Sequence, residues 1–141
     1  MELDIFSVTD KRVYIPLVQS KVEAGFPSPA DGYEEARLDI NDLVVTHPDA
    51  TFFVRVKGNS MINANINDED ILVVDRSLKP KHNDIVIAVV DDNFTVKTLF
   101  IKDSVTKLVP ANPAFSEITL DNINELNIWG VVSYVIHKAR A

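Results

Sequence analysis

Thr51-Phe52-Phe53-Val54-Arg55-Val56-Lys57-Gly58-Asn59-Ser60-Met61-Ile62 is the stretch from which the rest of the chain is read. Its aromatic and β-branched side chains predict a strand over residues 51–57. Gly58 then lets the backbone turn, and Ser60 is delivered just beyond the strand end. A serine hydroxyl is a poor nucleophile until a base takes its proton, so a catalytic reading needs a second side chain that is neutral near pH 7. Lys97 is the candidate. In Asn93-Phe94-Thr95-Val96-Lys97-Thr98-Leu99-Phe100-Ile101, period-two alternation puts it on the face of Leu99 and Ile101. Burial there disfavours the ammonium and lowers a lysine pKa by up to about 3–5 units from about 10.4. Taken singly, a Gly-x-Ser turn is most often only a turn, and a strand lysine commonly extends its charge to solvent.

Downstream of Ser60, the acids of Ile62-Asn63-Ala64-Asn65-Ile66-Asn67-Asp68-Glu69-Asp70 invite a calcium reading. The mid-loop glycine and the glutamate at the twelfth position are missing, so the stretch predicts a solvated turn before a strand at Ile71-Leu72-Val73-Val74. A polar loop with Pro80 follows, then a strand from Asp84 to Val90. Asp91-Asp92-Asn93 makes a tight hairpin into the Lys97 strand. Strands are also predicted at Val105 to Val109 and Leu126 to Ile136. Within the latter, Trp129-Gly130-Val131-Val132 reads as core packing, with a dimer seam as the alternative. The fold class is mainly β, with short, mostly antiparallel strands and no internal repeat.

Upstream, Leu38, Ile40, Leu43 and Val44 predict a short helix between Arg37 and Val45, capped by Asp39 or Asn41 and stopped by Pro48. Residues 1–35, with Pro16, Pro27 and Pro29 among short apolar clusters, predict an extended N-terminal arm ahead of a domain over 36–141. Within the arm, Val13-Tyr14-Ile15 and Leu17-Val18 suit a strand added to a sheet edge. Ala24-Gly25 offers two small residues, the easiest peptide bond to lay into a narrow cleft.

At 141 residues the chain is long enough to bury a core without disulfides or metals. It has no cysteine, which excludes a disulfide framework, a thiol nucleophile and a zinc-thiolate site. His47, His82 and His137 share no ligand spacing, so neither a metal nor a cofactor is expected. The longest apolar run, Ile85 to Val90, is a strand's length, far below a membrane span. Met1-Glu2-Leu3-Asp4 carries acids where a secretory signal carries lysine or arginine, so a cytoplasmic location is expected. A net charge of −7 and a pI near 4.8 argue against a direct nucleic-acid site, which needs clustered cations.

In their order along the chain, three segments resemble the LexA-like self-cleaving serine peptidases, most closely the UmuD-type SOS mutagenesis proteins. They are Ala24-Gly25-Phe26-Pro27-Ser28-Pro29-Ala30 as the cleavage segment, Gly58-Asn59-Ser60-Met61-Ile62 as the nucleophile segment, and Asp84-Ile85-Val86-Ile87-Ala88 with Phe94-Thr95-Val96-Lys97 as the base segment. The resemblance runs nearly end to end. It implies a LexA/signal-peptidase-like fold, Ser60 as nucleophile, Lys97 as general base, and Ala24-Gly25 in the protein's own arm as the bond cut. Backbone amides at Asn59 and Ser60 are then the candidate oxyanion donors. The resemblance also implies a homodimer, stimulation by RecA filaments on single-stranded DNA, and a shortened product that joins a UmuC-type Y-family polymerase in translesion synthesis.

Ala24 stands where the best-known UmuD has cysteine, but alanine is what LexA-type repressors use at that place. The first 35 residues are not helical in period, so the helix-turn-helix of the repressors is not expected and a repressor role is disfavoured. The rival from another class is a non-catalytic polymerase-accessory or interaction module, with Ser60 and Lys97 as core residues or relics. A signal-peptidase relative would share the Ser/Lys chemistry, but the membrane anchor of such an enzyme is not read in this sequence.

Overall fold

A computed structural model describes residues 3–7, 12–18, 22, 24–25, 27, 35–120 and 127–140. Of the expected cleavage segment, Phe26 and Ser28 to Ala30 lie outside the described residues, as does Leu126 at the expected start of the last strand. The chain divides into two compact units, residues 1–8 with 47–141, and residues 9–46.

The larger unit is one antiparallel sheet. Its strands are β1 (Leu3–Ser7), β4 (Thr51–Val56), β5 (Ile71–Asp75), β6 (Ile85–Val90), β7 (Asn93–Lys102), β8 (Val105–Val109), β9 (Ile118–Leu120) and β10 (Asn127–Ile136). They lie in the order β1-β4-β5-β10-β6-β7-β8-β9. The sheet buries side chains on both faces. Val54, Val56, Met61, Ile66, Leu72, Val74, Ile87 and Val96 form one cluster, and Val86, Ala88, Leu99, Leu108 and Val131 form a second. Successive residues of β6 therefore go to different clusters, which is why Ile85 to Val90 reads as an unbroken apolar run rather than as an alternation.

The hairpins follow local chemistry. β6 and β7 join through Asp91-Asp92, both at positive φ (49° and 63°), with Val90 opposite Asn93, the two-residue turn expected there. Asp103 and Ser104 (φ 51° and 66°) make a second two-residue turn between β7 and β8, which the sequence reading did not identify. Trp129 packs its ring against Phe52 and Phe94 at 5.2 and 5.5 Å between centroids, under the Arg76 guanidinium at 4.6 Å. At Gly130 a Cβ atom would fall 2.4 Å from Val74 Cγ1, so only glycine lets β10 approach β5 at that point.

In the smaller unit, β2 (Ile15–Val18) pairs antiparallel with β3 (Glu35–Leu38), and a short helix α1 (Ile40–Val44) follows. Asp39 is its cap. One carboxylate oxygen accepts the Asn41 N–H at 2.9 Å, and the other accepts the Val13 N–H at 3.0 Å. Those two bonds hold the Asp39 carboxyl below its ordinary pKa.

The stretch 15–18 forms a strand that adds to a sheet edge as expected, pairing antiparallel with β3. Two other expectations change. Arg37 and Leu38 are accordingly strand, and the helix begins only after Asp39. Leu3–Ser7, read as part of an arm, pairs with residues 52–56 of β4.

Candidate functional site

The site is built where β4 ends. Val54 and Val56 are fully buried, which fixes the strand up to the turn. Gly58 then takes φ 97°, in the left-handed region where a side chain is disfavoured. The acidic stretch beyond Ser60 folds back to brace this turn. Glu69 N–H donates to Val56 O and Val56 N–H to Asp70 O, both at 2.8 Å, and the Asp68 carboxylate accepts the Gly58 N–H at 2.7 Å. Lys57 is paired with Glu69. Asp70, 3 % exposed, accepts the Asn67 N–H and bonds His137 Nδ1 at 2.6 Å. The expectation of a solvated turn holds for Asp68 and Glu69, which are exposed, but not for the whole stretch: Asp70 is buried, the Asp68 carboxylate is tied to the Gly58 N–H, and Ile66 at its centre is core.

On the other side of Ser60, the Met61 side chain is wholly buried in the first cluster. The backbone continues into a short 3-10 turn over Ile62–Ala64, with Ile62 N–H donating to Asn59 O at 3.2 Å and Ala64 N–H to Met61 O at 3.0 Å. Residues 110–113, Pro-Ala-Asn-Pro, close over this turn. Asn63 N–H donates to Ala111 O at 2.7 Å, Ala111 N–H to Met61 Sδ at 3.4 Å, and Asn112 Nδ2 to Asn59 O at 2.9 Å. Asn112 was not singled out in the sequence. Its only local signal is a turn flanked by two prolines, which says nothing about a partner 53 positions away.

Lys97 projects from the middle of β7, directly across from Val86, on the face that also carries Leu99. Its Nζ lies 3.2 Å from Ser60 Oγ. Ser60 is 4 % exposed and Lys97 8 %, so the pair is screened from bulk water. Burial pushes the lysine pKa below its ordinary value, and among the described residues no carboxylate pairs with it to restore the charge. As an ammonium, Nζ donates to Oγ. As a free amine it can accept the hydroxyl proton, leaving an oxygen nucleophile at the surface of the turn.

Ala24 and Gly25 form an exposed turn in the smaller unit, with Gly25 at φ 84°. The histidines serve elsewhere: His47 Nδ1 bonds the buried Asp75 carboxylate at 2.6 Å, His137 bonds Asp70, and His82 Nδ1 accepts the Ile101 N–H at 3.0 Å. Among the described residues no three His, Asp or Glu side chains converge as a metal site requires, and no helix is long and apolar enough to cross a membrane.

Comparison with known proteins adds a family. The Peptidase S24-like family model matches residues 16–133, from β2 through most of β10. The chain is 44% identical over 137 residues to Protein MucA of Salmonella typhimurium, covering 95% of this chain and 93% of that one. It is 45% identical over 126 residues to Protein ImpA of Shigella flexneri, covering 89% and 85%. A LexA repressor from Azoarcus sp. (strain BH72) is 40% identical over 107 residues, 76% of this chain and 52% of the repressor. With a family match over most of its length and relatives aligned nearly end to end, the chain belongs to the peptidase S24-like family of serine peptidases.

Proposed function

We propose that the chain is a self-cleaving Ser/Lys peptidase of the SOS response that cuts its own Ala24-Gly25 bond. The observation that carries this reading is the 3.2 Å approach of Lys97 Nζ to Ser60 Oγ in a setting where burial favours the free amine. In the proposed reaction neutral Lys97 takes the Ser60 proton and Oγ adds to the Ala24 carbonyl carbon. Backbone amides at Asn59 and Ser60 stabilise the oxyanion. The tetrahedral adduct collapses, the C–N bond to Gly25 breaks, and the Lys97 ammonium returns its proton to the leaving amine. Water, deprotonated by the same amine, then hydrolyses the Ser60 ester and restores the enzyme.

Because substrate and catalyst belong to one chain, or to two chains of a homodimer, effective concentration replaces substrate affinity. RecA filaments on single-stranded DNA stimulate the reaction, and the product beginning at Gly25 acts with a UmuC-type Y-family polymerase in translesion synthesis in the cytoplasm. The similarity to MucA and ImpA over nearly the whole chain supports this placement.

The test is to incubate the purified chain with RecA, single-stranded DNA and a nucleoside triphosphate, and to measure product masses. A fragment beginning at Gly25, absent from Ser60→Ala, is the expected result. An unchanged mass under these conditions would leave a non-catalytic interaction module as the better reading.

A further inference from the structure

The loop at residues 110–113 supplies no group to the proton transfers above, yet one of its side chains reaches the peptide that joins Asn59 to Ser60. Asn112 Nδ2 donates to Asn59 O at 2.9 Å, and the Ile62 N–H meets the same oxygen at 3.2 Å. That peptide is trans. In a trans peptide the C=O and the following N–H lie in one plane and point in opposite directions. Holding Asn59 O therefore sets the direction of the Ser60 N–H, and among the described residues no acceptor takes that N–H. The Asn112 carboxamide is itself fixed at its other end, where Oδ1 accepts the Ala114 N–H at 3.0 Å. With an acceptor on one side and a donor on the other, nitrogen and oxygen of the amide are assigned by their partners.

Resting on the proposed self-cleavage, we propose that Asn112 is a positioning residue: by holding the Asn59 carbonyl it aims the Ser60 N–H at the oxyanion that forms when Oγ adds to the scissile carbonyl. An oxyanion donor acts through geometry fixed before the reaction, and losing one slows comparable enzymes by about 10²–10³-fold. Misplacing it is expected to slow cutting by roughly 10- to 100-fold. Asn112 carries no proton to or from Ser60, so the effect falls on the limiting rate at high pH and not on the pH at which Lys97 loses its proton.

The experiment follows self-cleavage of the full chain without RecA from pH 7 to 11, for wild type, Asn112→Ala and Asn112→Asp, with a melting curve for each. Asn112→Asp keeps the size and the oxygen that accepts the Ala114 N–H, but turns an oxygen toward Asn59 O in place of the donor. Both variants are expected to remain folded with plateau rates lowered roughly 10- to 100-fold. For the uncharged Asn112→Ala the midpoint of the pH profile stays at the wild-type value. A folded Asn112→Asp that cuts at the wild-type plateau rate would overturn the proposal, even if Asn112→Ala is slowed by loss of fold. So would an Asn112→Ala profile displaced along the pH axis with its plateau intact, which would assign Asn112 to the surroundings of Lys97. A wild type that cuts at no pH, with or without RecA, would instead refute the self-cleavage on which the proposal rests.

Discussion

Raising the pH is the perturbation that bears most directly on Lys97. Its Nζ sits 3.2 Å from Ser60 Oγ with burial alone lowering its pKa, so on the proposed mechanism the fraction of free amine sets the rate at which Ser60 is activated. A lysine titrating at about 10.4 is unprotonated in roughly 1 molecule in 2,500 at pH 7, and each unit of depression multiplies that fraction by ten. RecA-independent cutting is therefore expected to rise tenfold per pH unit and then level off below about 10.4, where the folded lysine has lost its proton. The assay follows the 25–141 fragment on gels from pH 7 to 11, with circular dichroism at each point to exclude alkaline unfolding. Lys97→Ala should lose the rise. Lys97→Arg should lose it too, because a guanidinium stays protonated across this range. A flat profile with the fold intact, or a Lys97→Ala chain that cuts at the wild-type rate, would remove Lys97 from the mechanism.

The same depression has a consequence for stability, with a definite sign. Between the lowered folded pKa and about 10.4 the unfolded state binds more protons than the folded state, so stability rises with pH across that window. Below the folded value both states carry the proton and the full burial penalty remains. Lys97→Met keeps most of the side-chain volume and removes the charge. It is expected to melt above the wild type at pH 7, with the difference shrinking toward pH 10, while abolishing cutting. A lower melting temperature at pH 7 would show that the ammonium is well accommodated where it lies.

Gly130→Ala places a Cβ 2.4 Å from Val74 Cγ1, and urea unfolding should show a loss of about 1–3 kcal/mol, the usual range for overpacking. Ala24→Trp, in an exposed turn, should slow formation of the 25–141 fragment without moving the melting temperature; cutting at the wild-type rate would move the scissile bond elsewhere. Asp39→Ala should speed amide hydrogen exchange at Val13 and Asn41, the two N–H groups its carboxylate accepts. Because that carboxyl is held below its ordinary pKa, the protection it gives in the wild type is complete above about pH 4 and fades as pH falls through the lower folded value.

The parts of the fold legible in the sequence were those in which local chemistry and burial agree. Thr51–Val56 and Ile71–Asp75 have strand residues and buried faces, and Asp91-Asp92 suits a two-residue hairpin whatever surrounds it. Leu3–Ser7 and Ile118–Leu120 are short strands at the two edges of the sheet, and their pairing depends on partners the local pattern does not name. In the site, alternation put Lys97 on the face of Leu99, but pattern alone says nothing about a contact between residues 37 positions apart. Pattern alone offered Lys97 only as a candidate base for Ser60, and the order of three segments, read as a family resemblance, strengthened that pairing. The acids at 68–70 read as solvent-loving from composition, and Asp68 and Glu69 are exposed, but the Asp68 carboxylate also takes the Gly58 N–H and the buried Asp70 carboxylate takes the Asn67 N–H, contacts that composition does not show.

How the nucleophile segment is held also bears on control. Met61 is locked in the core, Asp68 and Asp70 fix the turn from one side, and Ala111 and Asn112 fix it from the other, so the turn carrying Ser60 is held by the core and by two further segments. A serine and a lysine already within hydrogen-bond distance do not need to be brought together by an activator. On the proposed reading, two variables then remain to limit self-cleavage: the protonation of Lys97 and the delivery of Ala24-Gly25 to Ser60. The first responds to pH and the second does not, so RecA acting on delivery should raise the rate by the same factor at every pH below the plateau. RecA acting on the lysine should instead move the profile toward lower pH. Comparing the two profiles, with and without RecA, separates a change in substrate delivery from a change in the base.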